Sequence, residues 1–170
     1  MDDSIQVLHV DDDSAFRDLA AELLERADNS ITVLSESDPT AVPAAIEANP
    51  VDCIVSDFDM PECDGLELCR RVRRDYPEFP FVLFTNRTGE EIVDRAMAAG
   101  ATDYIPKETG THHYELLANR ITLAVTRHRA LHRLGEVEGL PGERMASETP
   151  LDSDGASLAN AEAAEADHDD

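Results

Sequence analysis

The chain has 170 residues, and 37 Asp and Glu against 14 Lys and Arg give it a formal net charge of -23. A surface this acidic repels nucleic-acid phosphates and anionic lipid, which argues against a DNA-binding footprint. Cys53, Cys63 and Cys69 form no C-x-x-C pair and no even set, no apolar run approaches the ~18 residues of a membrane span, and Met1-Asp2-Asp3 is unlike a signal peptide, so a cytoplasmic protein is expected.

Five short β-rich runs alternate with helical patterns. Ile5 to Val10 reads as a buried strand, and Ala15 to Ala27 as a helix with Phe16, Leu19, Ala20, Leu23 and Leu24 on one face. Ile31 to Leu34 is the second strand. Asp38-Pro39 then opens a helix, with the carboxylate as N-cap and the proline at the first helical position. Cys53 to Ser56 is the third strand, followed by a helix from Gly65 to Arg74 behind the cap Asp64. Phe81 to Phe84 is the fourth strand. The capping box Thr88-x-x-Glu91 predicts the start of a helix that stops at Gly100, a left-handed C-cap. Thr102 to Ile105 is the fifth strand.

The last helix is predicted over His112 to Leu134, with Leu117, Ile121, Ala124, His128, Leu131 and Leu134 at three- and four-residue spacings. Its first half is expected to pack on the domain, and its second half to be available to a helix of a second copy. Residues 1–134 are therefore read as the folded domain. From Gly135 to Asp170 there are eleven acids and one base, Arg144, without the aromatic and β-branched residues a core requires. This tail is expected to be disordered, and it has no place for a DNA-binding helix-turn-helix.

Alternation of β and α with near-continuous apolar strands predicts a parallel sheet covered by helices on both faces. Such sheets bind ligands outside the carboxyl ends of their strands. At those ends stand Asp11, Asp12 and Asp13, then Asp57 and Asp59, then Thr85, then Lys107. Carboxylates gathered on one rim repel at roughly 4 kcal/mol per pair at 4 Å and an effective dielectric near 20, so they call for a cation. Hard oxygen ligands of this kind describe a magnesium (Mg2+) site, with Lys107 and the Thr85 hydroxyl as donors suited to phosphate oxygens. Singly, each residue also has an ordinary role: Asp11, Asp12 and Asp57 as turn or cap residues, Thr85 as a strand residue, Lys107 as a solvated charge. The conjunction at successive strand ends points to a site. Lys107 is also the one lysine in the chain.

The doublet Asp11-Asp12 after Val7-Leu8-His9-Val10, the run Asp57-Phe58-Asp59-Met60-Pro61-Glu62-Cys63-Asp64-Gly65, Thr85, and Ala99-Gly100-Ala101-Thr102-Asp103-Tyr104-Ile105-Pro106-Lys107 together resemble the receiver domain of two-component response regulators. The resemblance covers Ile5 to about Leu131. It implies a flavodoxin-like fold with strand order 2-1-3-4-5 and Asp57 as phosphoryl acceptor. It further implies Mg2+ held by Asp12, Asp57 and the Asp59 backbone carbonyl, with Asp11 acting through water. Thr85 would hydrogen-bond the phosphoryl group, Lys107 would pair with it, and Tyr104 would be the aromatic switch. The partners implied are a sensor histidine kinase and a downstream protein docking on the face of the fourth helix, fifth strand and fifth helix.

Two positions depart from the family pattern. Glu108 follows Lys107 where proline is usual, so a cis bond there would cost about 3 kcal/mol. Asn86 replaces a small residue after Thr85. Arg87 and Asp59 are expected to flank the mouth of the site and to pair, slowing the attack of water. His9 is read as a strand residue, and His112, His113, His128 and His132 as solvated helix residues rather than metal ligands.

Within the receiver class, a stand-alone output protein, a phosphorelay intermediate and a phosphate sink remain open. The rival enzyme reading is a haloacid-dehalogenase-like phosphatase using Asp57-Phe58-Asp59, but there the pair normally follows the first strand and leads into Gly-Thr, not Met-Pro. A flavin-binding flavodoxin would need a phosphate cradle where the first loop is acidic. The acidity and the replacement of lysine by arginine suit a halophile, since molar salt shortens the screening length to roughly 3 Å.

Overall fold

The computed structural model describes residues 3–138 of the chain. Its elements in chain order are β1 (Ile5–Val10), α1 (Ser14–Ala27), β2 (Ile31–Glu36), a 3-10 turn (Pro39–Ala41) leading into α2 (Val42–Ala48), β3 (Cys53–Ser56), α3 (Gly65–Asp75), β4 (Phe81–Thr85), α4 (Glu90–Ala99), β5 (Asp103–Pro106) and α5 (His112–Glu138). The five strands are all parallel and lie in the order β2-β1-β3-β4-β5. This is the flavodoxin-like, doubly wound α/β sheet, with its order reversing between β1 and β3.

The period of two along each strand sorts side chains onto two cores. Leu8, Val10, Ile54, Phe81 and Leu83 pack with Val42, Leu66, Leu68, Val72, Ile92 and Ala96 of α2, α3 and α4. Ile5, Val7, Cys53, Val55, Val82 and Phe84 pack on the other face with Ala20 and Leu24 of α1 and Leu117, Ile121 and Val125 of α5. The helices begin and end largely where local chemistry directs. Asp13 caps α1 by accepting from the Phe16 N–H, Asp64 caps α3 by accepting from the Glu67 N–H, and Gly100 ends α4 at φ 97°.

Four local expectations are corrected. Asp38 does cap a turn, but the turn is a 3-10 helix and α2 follows it without a side-chain cap. The Thr88-x-x-Glu91 box does not form, because Gly89 at φ 119° takes the N-cap position with no side-chain bond. Leu19, placed on the buried face of α1, is exposed. His113, read as solvated, is buried against Phe84 and Tyr114, because its place in the first turn of α5 aims it at the sheet.

The chain divides into two units at Ala130. The first carries the whole sheet and every site residue. Of the second, only the last turns of α5 to Glu138 are described, where Leu131 and Leu134 are exposed. The acidic tail expected from Gly135 lies almost entirely outside the described residues. Among the described residues, no helix is long and apolar enough to cross a membrane.

Candidate functional site

The site lies at the switch point, where β1 and β3 end side by side. Asp57 is held there by its backbone: its N–H donates to the Val10 carbonyl at 3.0 Å, and the buried Ser56 hydroxyl donates to the Asp57 carbonyl at 2.8 Å. Gly65 permits the return of the chain, since a Cβ at that position would stand 2.2 Å from the Asp57 carbonyl oxygen. On β1, Asp11 accepts from the Asp13 N–H at 3.0 Å, and Arg17 of α1 donates to the Asp11 carbonyl at 2.5 Å. Asp11 and Asp57 are buried while Asp12 is exposed, and one carboxylate oxygen from each falls within 4.8 Å of the others.

Lys107 enters from β5, its N–H donating to the Thr85 carbonyl at 2.8 Å and so extending the β4–β5 ladder. Its ammonium lies 3.0 Å from Asp11 Oδ2 and 3.3 Å from Asp57 Oδ1, with the side chain only 8% exposed. Every described peptide bond is trans, Lys107–Glu108 included, so the missing proline leaves an ordinary link. Burial pushes the Asp57 carboxyl above its ordinary range, Lys107 beside it pulls it down, and the Asp11 charge pushes it up again. This environment disfavours a bare carboxylate and favours any cation brought to it.

Thr85 is fully buried at the end of β4, and its hydroxyl oxygen accepts from the Arg87 N–H at 3.2 Å. Arg87 and Asp59 pair as expected, and the pair is bidentate: Nε lies 3.1 and 3.0 Å from the two carboxylate oxygens and an Nη 2.8 Å from one of them. The guanidinium hydrogen bond holds the Asp59 carboxyl below its ordinary range. The Arg87 guanidinium also stacks 4.7 Å from the Phe58 ring centre, and the Tyr104 hydroxyl donates to the Arg87 carbonyl. Asn86 is exposed.

Asp11, Asp12, Asp57 and Lys107 thus meet, and Thr85 ends the strand between β3 and β5. Asp59 does not join the carboxylate cluster through its side chain, which is held by Arg87 instead. Among the described residues the three aspartates are the one cluster with metal-ligand geometry, and no histidine enters it. His128 is half-buried beside Phe79 instead. All three donors are hard carboxylate oxygens, a set that fits a divalent cation of the magnesium or calcium type better than zinc. Phe16 is by sequence one residue of a helix face, yet its ring lies 3.9 Å beneath the Lys107 ammonium. The signal for it is its position in the first turn of α1, where side chains lean toward the helix N-terminus and so toward the strand ends.

A doubly wound sheet that gathers three carboxylates and a lysine at its switch point defines a flavodoxin-like module with an acidic, cation-ready site. Residues 7–118 match the response regulator receiver domain. The chain is similar to a protein-glutamate methylesterase/protein-glutamine glutaminase of Paramagnetospirillum magneticum, 32% identical over 145 residues, which are 82% of this chain and 38% of that protein. It is 34% identical over 98 residues to the transcriptional regulatory protein FixJ of Bradyrhizobium diazoefficiens, covering 58% of this chain and 47% of that protein. The chemotaxis response regulator CheY4 of Vibrio cholerae superposes with a TM-score of 0.62 at 27% identity, covering 69% of this chain and 98% of that one. The chain belongs to the response regulator receiver family, the phospho-accepting modules of two-component signalling. It spans less than half the length of these two curated relatives.

Proposed function

We propose that this chain is a phosphorylation-dependent switch that takes a phosphoryl group from a sensor histidine kinase onto Asp57 and signals by protein contact. The observation that carries the reading is the Lys107 ammonium set between Asp11 and Asp57 beside a carboxylate cluster within 4.8 Å. In the transfer, an Asp57 carboxylate oxygen forms a bond to phosphorus in line with the breaking P–N bond, and the departing imidazole keeps the electron pair. Lys107 meets the charge spreading over the phosphoryl oxygens, and the Thr85 hydroxyl donates to one of them. Asp12, Asp57 and the Asp59 backbone carbonyl would hold Mg2+, with Asp11 acting through water. When bound, that ion neutralises the carboxylates and draws charge from the equatorial oxygens. The product is an acyl phosphate, whose lability suits a reversible signal.

The output follows from connectivity. Thr85, drawn toward a phosphoryl oxygen, is bonded to the Arg87 backbone, and the Arg87 carbonyl receives the Tyr104 hydroxyl. A shift at Thr85 therefore reaches Tyr104 on β5 through one residue. Exposed Met97 on α4, and Leu116 and Leu123 on α5 four residues before and three after Arg120, supply apolar surface for a downstream protein. The exposed Leu131 and Leu134 offer a second copy a place on the last turns of α5. A kinase partner places the chain in the cytoplasm, consistent with three free cysteines.

Incubation with acetyl phosphate and magnesium in high salt, followed by intact mass, tests the reading. One phosphoryl adduct on the wild type and none on Asp57→Asn is expected; no adduct on either, or equal adducts on both, overturns it.

A further inference from the structure

We propose that Phe16 is a positioning residue for Lys107, its ring face keeping the ammonium aimed at the phosphoacceptor; this rests on the reading of Asp57 as the acceptor. Phe16 sits in the first turn of α1, its own N–H fixed to Asp13 at 3.1 Å. Its ring is braced by His9 at 6.1 Å and by Phe84 at 5.9 Å between ring centres, so it has a defined place rather than a free rotamer. The Lys107 ammonium stands 3.9 Å from the Phe16 ring centre and 5.7 Å from that of Phe84. Asp11 accepts a hydrogen bond from the same ammonium at 3.0 Å, and Asp57 forms an ion pair with it at 3.3 Å.

The chemistry of that floor matters. A lysine is a point charge on a flexible four-carbon stem, and its long side chain must be ordered to act at one place. A third carboxylate beneath it would add to the repulsion already present and compete with the incoming phosphoryl oxygens. An aliphatic floor would shield the ammonium from water and return nothing electrostatic. An aromatic face attracts the cation through its quadrupole without accepting a strong, directional hydrogen bond. The attraction is broad across the ring, so the ammonium can slide from the Asp57 carboxylate to the phosphoryl oxygens without leaving its support.

The experiment compares Phe16→Leu and Phe16→Met, which keep apolar volume, with Phe16→Tyr, which keeps the ring, all in the full chain. Because Lys107 is the one lysine, isotope-labelled lysine gives a single ε-methylene signal. In the unphosphorylated wild type this signal is expected upfield of exposed lysine through the ring current. It should remain upfield in the tyrosine variant and return toward the exposed value in both aliphatic ones. Phosphorylation by acetyl phosphate with magnesium is expected to slow about fivefold to tenfold in the aliphatic variants and to recover within about twofold in the tyrosine variant. An unmoved signal in whichever aliphatic variant folds overturns the proposal, as does a wild-type rate there. A loss in Phe16→Tyr equal to that in Phe16→Leu overturns it too, because that is what packing alone predicts. If the wild type forms no adduct, the phosphoacceptor reading fails, while the lysine signal still decides whether Phe16 holds Lys107.

Discussion

The ammonium of Lys107 stands 3.3 Å from the Asp57 carboxylate, although fifty positions of chain separate the two residues. The pocket around it leaves 8% of the lysine side chain exposed, with Asp11 on one side and the Phe16 ring on another. A planar guanidinium needs room for its fork, and this space is shaped for a compact charge. Lys107→Arg keeps the charge and follows the chain's own preference for arginine. It should nevertheless slow phosphorylation by acetyl phosphate by about tenfold or more, an effect worth about 1.4 kcal/mol at the transition state. A wild-type rate in this variant would show that charge alone suffices.

Asp11, Asp12 and Asp57 repel one another within 4.8 Å, and Lys107 offsets only part of this. Magnesium should therefore raise Tm by several degrees, in line with about 2.7 kcal/mol at a free concentration near a hundredfold above Kd. In Asp12→Ala, thermal melts with and without magnesium should coincide. A persistent rise would place the ion elsewhere.

Arg87 and Asp59 form a bidentate bridge backed by Phe58, two residues beyond Thr85 and Asp57 respectively. Both side chains are more than half exposed, so the bridge is argued as a shield against water and not as a source of stability. Arg87→Ala should shorten the lifetime of the phosphorylated chain several-fold, and Asp59→Ala should match it. Decay in the double variant should be no faster than in either single one. Time-resolved loss of the adduct by intact mass measures all three, and unchanged lifetimes would remove the shield.

Stability should fall on mild acidification because of two buried imidazoles. Burial drives the His9 imidazole down from 6.5 to about 4, with Asp11 pulling up and Lys107 and Arg17 pushing down. Burial lowers His113 as well, against a raising influence from Glu108 and a further lowering by His112. The unfolded chain takes these protons first, so stability is full above about pH 6.5 and declines as pH falls toward the folded-state values. Between about pH 7.5 and about pH 5, His9→Phe should gain about 2 kcal/mol relative to wild type in urea unfolding. A constant difference across that range would mean that His9 finds a proton-accepting partner on folding.

The alternation of strands and helices, the caps Asp64 and Gly100, and the strand ends on which Asp11, Asp12, Asp57, Thr85 and Lys107 stand were all legible in the residues alone. These are local matters of period and cap chemistry, and a parallel sheet turns chain position into a shared rim without further information. The pairing of Arg87 with Asp59 was legible in the same way, since both follow strand ends that the sheet makes neighbours. Packing decided the rest. Gly89, not Thr88, opens α4, because a positive φ there takes the N-cap position. His113 turns inward and Leu19 outward, because helix rotation is set by the whole core and not by one stripe. The ring of Phe16 lies under Lys107 because α1 packs on the sheet face that Phe84 and Ile105 share, and only that folded core brings an aromatic face to the ammonium.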